Sequence, residues 1–454
     1  MAEHALDGIR RVLVVGSGRS GRAVVAALTA QDVEIVVVDE DASATPDLGD
    51  VPVHVGVEAR DHLDGVDLVV PSPGVPEHAA VIQAAIAEAI PVWSEPELGW
   101  RLAPRPVVAI TGTNGKTSVT ELTAAMLSAS GIDAVACGNI GTPFTTAALE
   151  AAEDTVLVAE LSSFQLRFCH RLRPWVAVLL NLEPDHLDWH GDLGAYGAAK
   201  ARIWRAQQEV DEVVANAEDP NVVDLVDSSV PGGRAWFSGR GRHVERGVDV
   251  HDEVMHVHLD THSGPLFRLA DLPLDAPHHR DNVSAAACAA LLAGADPSGV
   301  ATAAGSFRPG PHRLEHVASG GGVTFVDDSK ATNVGSARAA LNAFPSIVWV
   351  AGGLAKGADL AALRPELGNV RAAVVIGEAA AALAEVCEDA GVHAVNATSM
   401  EEAVEAAAEL AEPGDTVLLA PACASFDMFD DYADRGDRFA AAATAAAERL
   451  ERAS

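Results

Sequence analysis

Val107-Val108-Ala109-Ile110-Thr111-Gly112-Thr113-Asn114-Gly115-Lys116-Thr117-Ser118 runs from β-branched apolar residues into a glycine-bearing turn, then Lys-Thr, then the helical pattern Val119 to Leu127. The order is strand, loop, helix. Glycines in such a loop let backbone N–H groups close on phosphate oxygens, and the helix N-terminus adds its dipole. In a phosphate loop the lysine reaches the outer phosphates and the next hydroxyl sits on Mg²⁺; Lys116 and Thr117 hold those positions here. The strict pattern has another glycine six residues before the lysine, where this chain has Ile110. An ordinary βα turn is therefore the competing reading.

Lysine usage narrows the choice. Of 31 Lys and Arg residues only Lys116, Lys200, Lys330 and Lys356 are lysines, and each falls in a loop or motif notable on other grounds. Lysine offers a compact charge and an amine that can lose its proton, which arginine cannot.

At 454 residues the chain can build two to four domains. Hydrophobic content of 49% with 21% charged residues indicates a folded protein rather than a disordered one. A formal charge of −34 speaks against nucleic acid or an anionic membrane surface as partner. An anionic substrate remains compatible if positive groups are concentrated locally. Cys137, Cys169, Cys288, Cys387 and Cys423 have an odd count and no CxxC spacing, which reads as reduced thiols. Val12 to Val15 is too short for a secretory signal, and no apolar run approaches a membrane span. We expect a cytoplasmic protein without membrane insertion.

The first segment reads as strand, turn, helix, strand. Val12 to Val15 leads into Gly16-Ser17-Gly18-Arg19-Ser20-Gly21, then a helix from Ala23, then Val33 to Val38 ending in Asp39. This GxGxxG turn with an acidic residue closing the second strand is a dinucleotide fingerprint, although its geometry identifies a pyrophosphate more firmly than a nicotinamide. Val66 to Val70 is a further buried strand ending at Pro71-Ser72-Pro73-Gly74, and Ala103-Pro104-Arg105-Pro106 is the first linker.

After the phosphate loop, the strand Thr155 to Ala159 delivers Glu160, and Trp175 to Leu180 delivers Asn181 and the loop Glu183 to Asp188 with His186. Asp192 is placed to cap a helix running through Lys200 to about Gln208. A hydroxyl, a carboxylate and an imidazole thus approach one phosphate loop, the outline of a Mg²⁺ and triphosphate site. The histidines between Arg242 and His279 suggest a metal cluster, but Val248 to Leu259 alternates in period two and reads instead as antiparallel strands with histidines on a solvated face. Gly305 to Glu315 marks a second boundary. Beyond it, the strands Val323 to Val326, Ile347 to Ala351, Ala373 to Ile376 and Thr416 to Ala420 form another α/β unit. Its strand ends carry Asp327 to Asn333, Gly352 to Gly357 and Pro421 to Asp427.

Taken in order, Gly112 to Thr117, Glu160-Leu161-Ser162-Ser163-Phe164-Gln165, Asp185-His186-Leu187-Asp188, Pro311-His312-Arg313-Leu314-Glu315 and Asp328-Ser329-Lys330-Ala331-Thr332-Asn333 resemble the motifs of the Mur ligase family. These are ATP-dependent amide-forming enzymes of bacterial cell-wall synthesis, and the resemblance covers essentially the whole chain. The 328–333 loop with Pro421 to Ser425 is most similar to the D-glutamate-adding branch.

The resemblance implies three α/β domains. Residues 1–104 would be a Rossmann-like UDP-sugar-binding domain. Residues 105–309 would be a P-loop ATP-binding domain with a mostly parallel sheet and a small antiparallel one. Residues 310–454 would be a Rossmann-like amino-acid-binding domain. It also implies an ADP-forming ligase, acting as a monomer on UDP-N-acetylmuramoyl-L-alanine, D-glutamate and ATP with two Mg²⁺ sites.

The implied ATP groups are Gly112, Thr113, Asn114, Gly115, Lys116, Thr117, Ser118, Asn282, Arg313 and Asp328. The implied metal groups are Thr117, Glu160, His186 and Lys200, with Lys116, His186 and Lys200 as the catalytic set and Lys200 carrying CO₂ as a carbamate. The UDP-substrate groups would be Ser17, Arg19, Ser20, Asp39, Ser72, Asn139 and Ser162. Those for D-glutamate would be Lys330, Thr332, Lys356, Ser425 and Tyr432, the last where the family commonly has Phe. The family's His-Asn before the Ala-rich helix reads His278-His279 here, leaving Asn282 as the matching asparagine. Because the groups lie in separate domains, closure on binding is expected. Another Mur ligase, a folylpolyglutamate-type ligase, an NAD-dependent oxidoreductase and a nucleotide-binding module are the alternatives.

Overall fold

Short β-branched runs alternating with helices build three sheets. The computed structural model describes residues 5–230, 232–273 and 276–453, without the side chains of Leu187 and Asp188. It divides into two compact units, Met1–Asp275 with His279–Phe307, and Ala276–His278 with Arg308–Ser454.

The first unit holds two sheets. Its N-terminal sheet comprises β1 (Arg11–Val15), β2 (Glu34–Asp39), β3 (Val53–Val55) and β4 (Leu68–Pro71), all parallel in the order β3-β2-β1-β4. Both faces are covered: Val12 and Val14 enter one apolar cluster, Leu13 and Val15 another. That is why these strands read as continuous apolar runs rather than alternating ones.

The larger sheet comprises β5 (Val107–Thr111), β6 (Ala134–Gly138), β7 (Val156–Glu160), β8 (Val176–Leu179), β9 (Glu212–Asn216), β10 (Gly233–Phe237), β11 (Gly247–His251), β12 (Val254–His258) and β13 (Ser263–Arg268). Their order is β13-β12-β11-β10-β9-β8-β5-β7-β6. The expected antiparallel strands exist, but β11 pairs in parallel with β10, so they extend the main sheet instead of forming a small one. Strand β5 lies between β7 and β8, and the loops at its carboxyl end open into the switch-point crevice where open α/β sheets bind ligands.

Buried Glu97 fastens the helix Glu95–Leu102 to the segment beside it. Its carboxylate accepts the amides of His170, Arg171 and Leu172, and Arg101 donates to it at 2.7 Å. Asp192 caps as expected, accepting the Ala195 amide at 2.8 Å. Its helix is shorter than expected, Leu193–Ala201, and tightens into a 3₁₀ turn at Arg202–Trp204, where Ile203 and Trp204 turn into the core.

The second unit holds β14 (Glu315–Gly320), β15 (Val323–Asp327), β16 (Ile347–Gly352), β17 (Val370–Ile376), β18 (His393–Asn396) and β19 (Thr416–Leu419) in the order β14-β15-β19-β16-β17-β18. Only β14 is antiparallel. Trp349 and Ala351 pack on one face of this sheet, Val348 and Val350 on the other.

Gly21 fixes how closely the helix Arg19–Thr29 approaches its own turn, because a Cβ there would lie 2.0 Å from the Gly16 carbonyl oxygen. Backbone must move to admit it. Gly21→Ala is expected to lower stability by about 1–3 kcal/mol in urea unfolding. Melting at the wild-type midpoint would show that the turn has more room than the structure gives it.

Candidate active site

The loop after β5 is held by its own neighbours. Lys116 Nζ donates to the carbonyls of Gly112 at 3.0 Å and Thr113 at 2.7 Å, and the Asn114 amide donates to Asn181 Oδ1 at 2.7 Å. Gly115 adopts φ +83°, and a Cβ on it would meet Asn282 Oδ1 at 2.4 Å. A left-handed residue with no room for a side chain leaves glycine as the fitting choice. The same contact places Asn282 against the phosphate loop. Thr117 Oγ1 donates to Glu160 Oε2 at 2.8 Å, and Asn139 Nδ2 donates to Glu160 Oε1 at 2.8 Å. Three strand ends therefore converge on one buried carboxylate.

Lys200 is 1% exposed and donates to the Gly112 carbonyl at 2.7 Å, the same oxygen that Lys116 uses. Burial, reinforced by the Lys116 ammonium, holds its amine far below the usual lysine range against the pull of Asp185 and Glu160. Tyr196 lies beneath it, 4.4 Å from Nζ to the ring centroid. His186 is exposed at φ 52°, packs on Phe164 at 4.9 Å, and has Nε2 3.7 Å from Asp185. No hydrogen bond joins His186 to Lys200 or Glu160 among the described residues. Leu187 and Asp188 of the same motif have side chains outside the described residues.

The N-terminal turn is closed by the carboxylate at the end of β2. Ser17 donates its amide to Asp39 Oδ2 at 2.8 Å and its hydroxyl at 2.5 Å. Burial pushes the Asp39 carboxyl up, but these bonds and the Asp41 amide outweigh it and hold the carboxyl below its ordinary value. Ser72 Oγ donates to the Gly16 carbonyl at 3.4 Å, placing the end of β4 at the turn. Ser20 lies in the first turn of the helix Arg19–Thr29. Arg19 reaches across to the Gly141 carbonyl at 3.2 Å, next to the segment carrying Asn139. Ser162 caps its helix in a capping box with Gln165, so its hydroxyl is engaged within its own chain turn.

The second unit gathers the remaining residues at strand ends. Asp328, after β15, accepts the Leu314 amide at 3.2 Å. Desolvation pushes its carboxyl up to about 7, opposed by that amide and by Arg313. Lys330 Nζ lies 4.8 Å from the Tyr432 ring centroid and Lys356 Nζ 5.1 Å from that of Phe426. The Thr332 amide donates to the Lys330 carbonyl, and Ser425 is buried at the end of β19's loop. Lys330 and Lys356 thus stand in these loops, while Lys116 opens the helix after the phosphate loop and Lys200 lies in the helix Leu193–Ala201. Among the described residues, eight non-glycines have positive φ, and His186, His312, Leu314, Lys356 and Ala422 all belong to these loops. Strained backbone gathers where surrounding contacts hold ligand-facing groups in place.

Two residues escaped the sequence reading. His190 bonds Ser163 Oγ through Nε2 at 2.9 Å and stacks on Phe164; burial, then Lys200 and His186, push it down to about 4, leaving it neutral near pH 7. Arg435, fully buried, donates to Ser329 Oγ at 2.9 Å and to the carbonyls of Ser329, Cys423 and Gly352 at 2.8, 3.0 and 3.4 Å. It ties the loops after β15, β16 and β19 together. No local signal marks either residue, since their hydrogen-bond partners lie 12 to 106 positions away.

Three family descriptions match the chain: a Mur ligase MurD-like N-terminal domain over residues 10–94, a Mur ligase middle domain over 110–290, and a Mur ligase glutamate ligase domain over 312–423. The chain is 44% identical to the UDP-N-acetylmuramoylalanine--D-glutamate ligase of Frankia casuarinae, covering 96% of this chain and 94% of that one. It is 40% identical to the protein of the same name from Thermobifida fusca, covering 95% and 97%. In fold it is similar to the Thermotoga maritima MurF ligase solved in complex with ADP, at TM-score 0.59 and 17% identity over 99% of this chain and 97% of that one. It is likewise similar to the MurC UDP-N-acetylmuramate-alanine ligase of that organism, at TM-score 0.58 and 18% identity over 98% and 100%.

The buried Lys200 amine carries a stability consequence. Its folded pKa is lowered, so between that pKa and the unfolded value of about 10.4 the unfolded chain binds more protons, and stability rises with pH. Lys200→Met is expected to be more stable than wild type near neutral pH, by a margin that narrows as pH rises towards about 10. Thermal melts across that range check it. A margin independent of pH would mean that Lys200 is charged in the folded protein.

Proposed function

The chain belongs to the Mur ligase family, and from that premise we propose that it joins the amine of D-glutamate to the L-alanyl carboxylate of UDP-N-acetylmuramoyl-L-alanine, with ATP hydrolysed to ADP and phosphate, in peptidoglycan precursor synthesis. The supporting observation is near-full-length similarity to D-glutamate ligases, joined to a phosphate loop whose Lys116, Thr117 and Glu160 meet at one strand-end crevice.

The substrate dictates the chemistry. A carboxylate is a poor electrophile, so its oxygen first attacks the γ-phosphorus of ATP; ADP leaves and an acyl phosphate forms. The amine of D-glutamate then attacks the acyl carbon, loses a proton, and the tetrahedral intermediate expels phosphate to leave an amide. Lys116 sits where its ammonium meets the phosphates. Asn282 faces the same loop, and Arg313 and Asp328 supply the second unit's contacts to ATP. Arg19, Ser17, Ser20, Asp39, Ser72, Asn139 and Ser162 take the UDP-linked substrate. Lys330, Thr332, Lys356, Ser425 and Tyr432 take D-glutamate.

The Thr117 hydroxyl and the Glu160 carboxylate, 2.8 Å apart, are hard oxygen donors that fit Mg²⁺ beside the loop. Mg²⁺ there would neutralise charge on the transferred phosphoryl. A lysine amine is no ligand for this ion, but a carbamate is. With its pKa lowered, neutral Lys200 Nζ can add to CO₂ and release a proton, giving an oxygen donor that His186 would accompany at a second site. The UDP-linked substrate and ATP place the reaction in the cytoplasm, and we take the working form to be a monomer. No described helix is long and apolar enough to cross a membrane.

Phosphate release from ATP with UDP-N-acetylmuramoyl-L-alanine should depend on D-glutamate, with L-glutamate, meso-diaminopimelate and L-alanine at least about 100-fold slower. Lys116→Ala should lower kcat by about 100-fold or more. Release with another amino acid but not D-glutamate would overturn the substrate assignment, and silence with all four would overturn the ligase reading.

A further inference from the structure

The hairpin of β11 and β12 presents two different faces. Val248, Val250, Met255 and Val257 enter the apolar core, so Asp249 and His251 on β11 and His256 and His258 on β12 face the other way. The alternation placed these histidines on a solvated face, and their rings do stay partly exposed, but they surround a carboxylate that is 0% exposed. His258 Nε2 lies 3.0 Å from Asp249 Oδ1, while His243 Nδ1 and His251 Nε2 lie 2.9 and 3.1 Å from Oδ2. His243 arrives from the loop before β11, whose Val244 amide also donates to Oδ2 at 2.9 Å.

We propose that Asp249, His243 and His258 form a binding site for a borderline divalent transition cation such as Zn²⁺, separate from the ATP and substrate groups. One amide and one imidazole would have sufficed to satisfy Oδ2 and anchor the loop. Three imidazole nitrogens converging on one carboxylate resemble a coordination shell. In a tetrahedral site with bonds of about 2.0–2.1 Å, neighbouring donors stand about 3.3 Å apart, close to the His243–Asp249 and His258–Asp249 spacings. The donor atoms of His243, Asp249 and His258 all lie within 4.8 Å of one another. Imidazole with a single carboxylate favours Zn²⁺, Co²⁺ or Ni²⁺ over Mg²⁺. To bind, each ring must keep its remaining proton on the nitrogen turned away from Asp249, so tautomer choice is part of the site.

The test is a cobalt(II) titration of untagged, chelator-stripped protein in excess Mg²⁺, which keeps oxygen-donor sites filled. One equivalent should bind with the intense visible absorption of a four-coordinate site, be displaced by Zn²⁺, and raise the melting temperature. His243→Ala, at an exposed ring that the fold does not require, should weaken binding by at least about tenfold, and Asp249→Asn should weaken it further. No uptake by wild type would overturn the proposal, as would uptake unchanged in His243→Ala. Should Asp249→Asn fail to fold, wild type and His243→Ala alone decide the question.

Discussion

Two lysine side chains meet at one carbonyl oxygen, that of Gly112, and much of the first unit follows from accommodating them. Like charges so close disfavour each other's ionised state, and burial of Lys200 adds to the cost. The surroundings answer in kind. Glu160 and Asp185 supply negative charge, Tyr196 offers its ring face, and His190 is pushed neutral instead of adding another cation. Lys116 is left as the cation of the phosphate loop in a chain of net charge −34. A positive group so placed draws an anionic substrate locally although the molecule as a whole repels it.

Much of this was legible in the chain. β5 and its loop announced themselves because a buried parallel strand must be a continuous apolar run and a tight phosphate loop must contain glycine. The four lysines stood out because the composition otherwise uses arginine. Less was legible where the signal was short or non-local. β3 and β18 span three and four residues and carry little pattern, and β14 is an antiparallel edge whose residues are mostly half-exposed. The helix carrying Lys200 was read too long because the 3₁₀ turn is set by Trp204 finding its pocket, which local periodicity does not reveal.

Asp249 shows the same limit from another side. Period-two alternation identified the hairpin and its register, and so told which side chains share a face. It could not tell that the loop carrying His243 folds over that face and shields the Asp249 carboxylate from water. Whether a row of histidines is a wet surface or an enclosed polar group is decided by a neighbouring segment, not by the strand. Arg435 is the extreme case: an arginine in an Arg- and Ala-rich helix looks like a solvent-facing charge, yet its guanidinium is satisfied wholly inside the second unit.

That arginine also orders events in time. Ser329 and Arg435 are 106 positions apart, so a ribosome adding 5–20 residues per second delivers the second about 5–20 s after the first. Until then the loops after β15 and β16 have emerged without the group that joins them. The second unit therefore cannot mature its strand-end loops one by one as they are synthesised. They settle together, once the helix that begins at Tyr432 has docked.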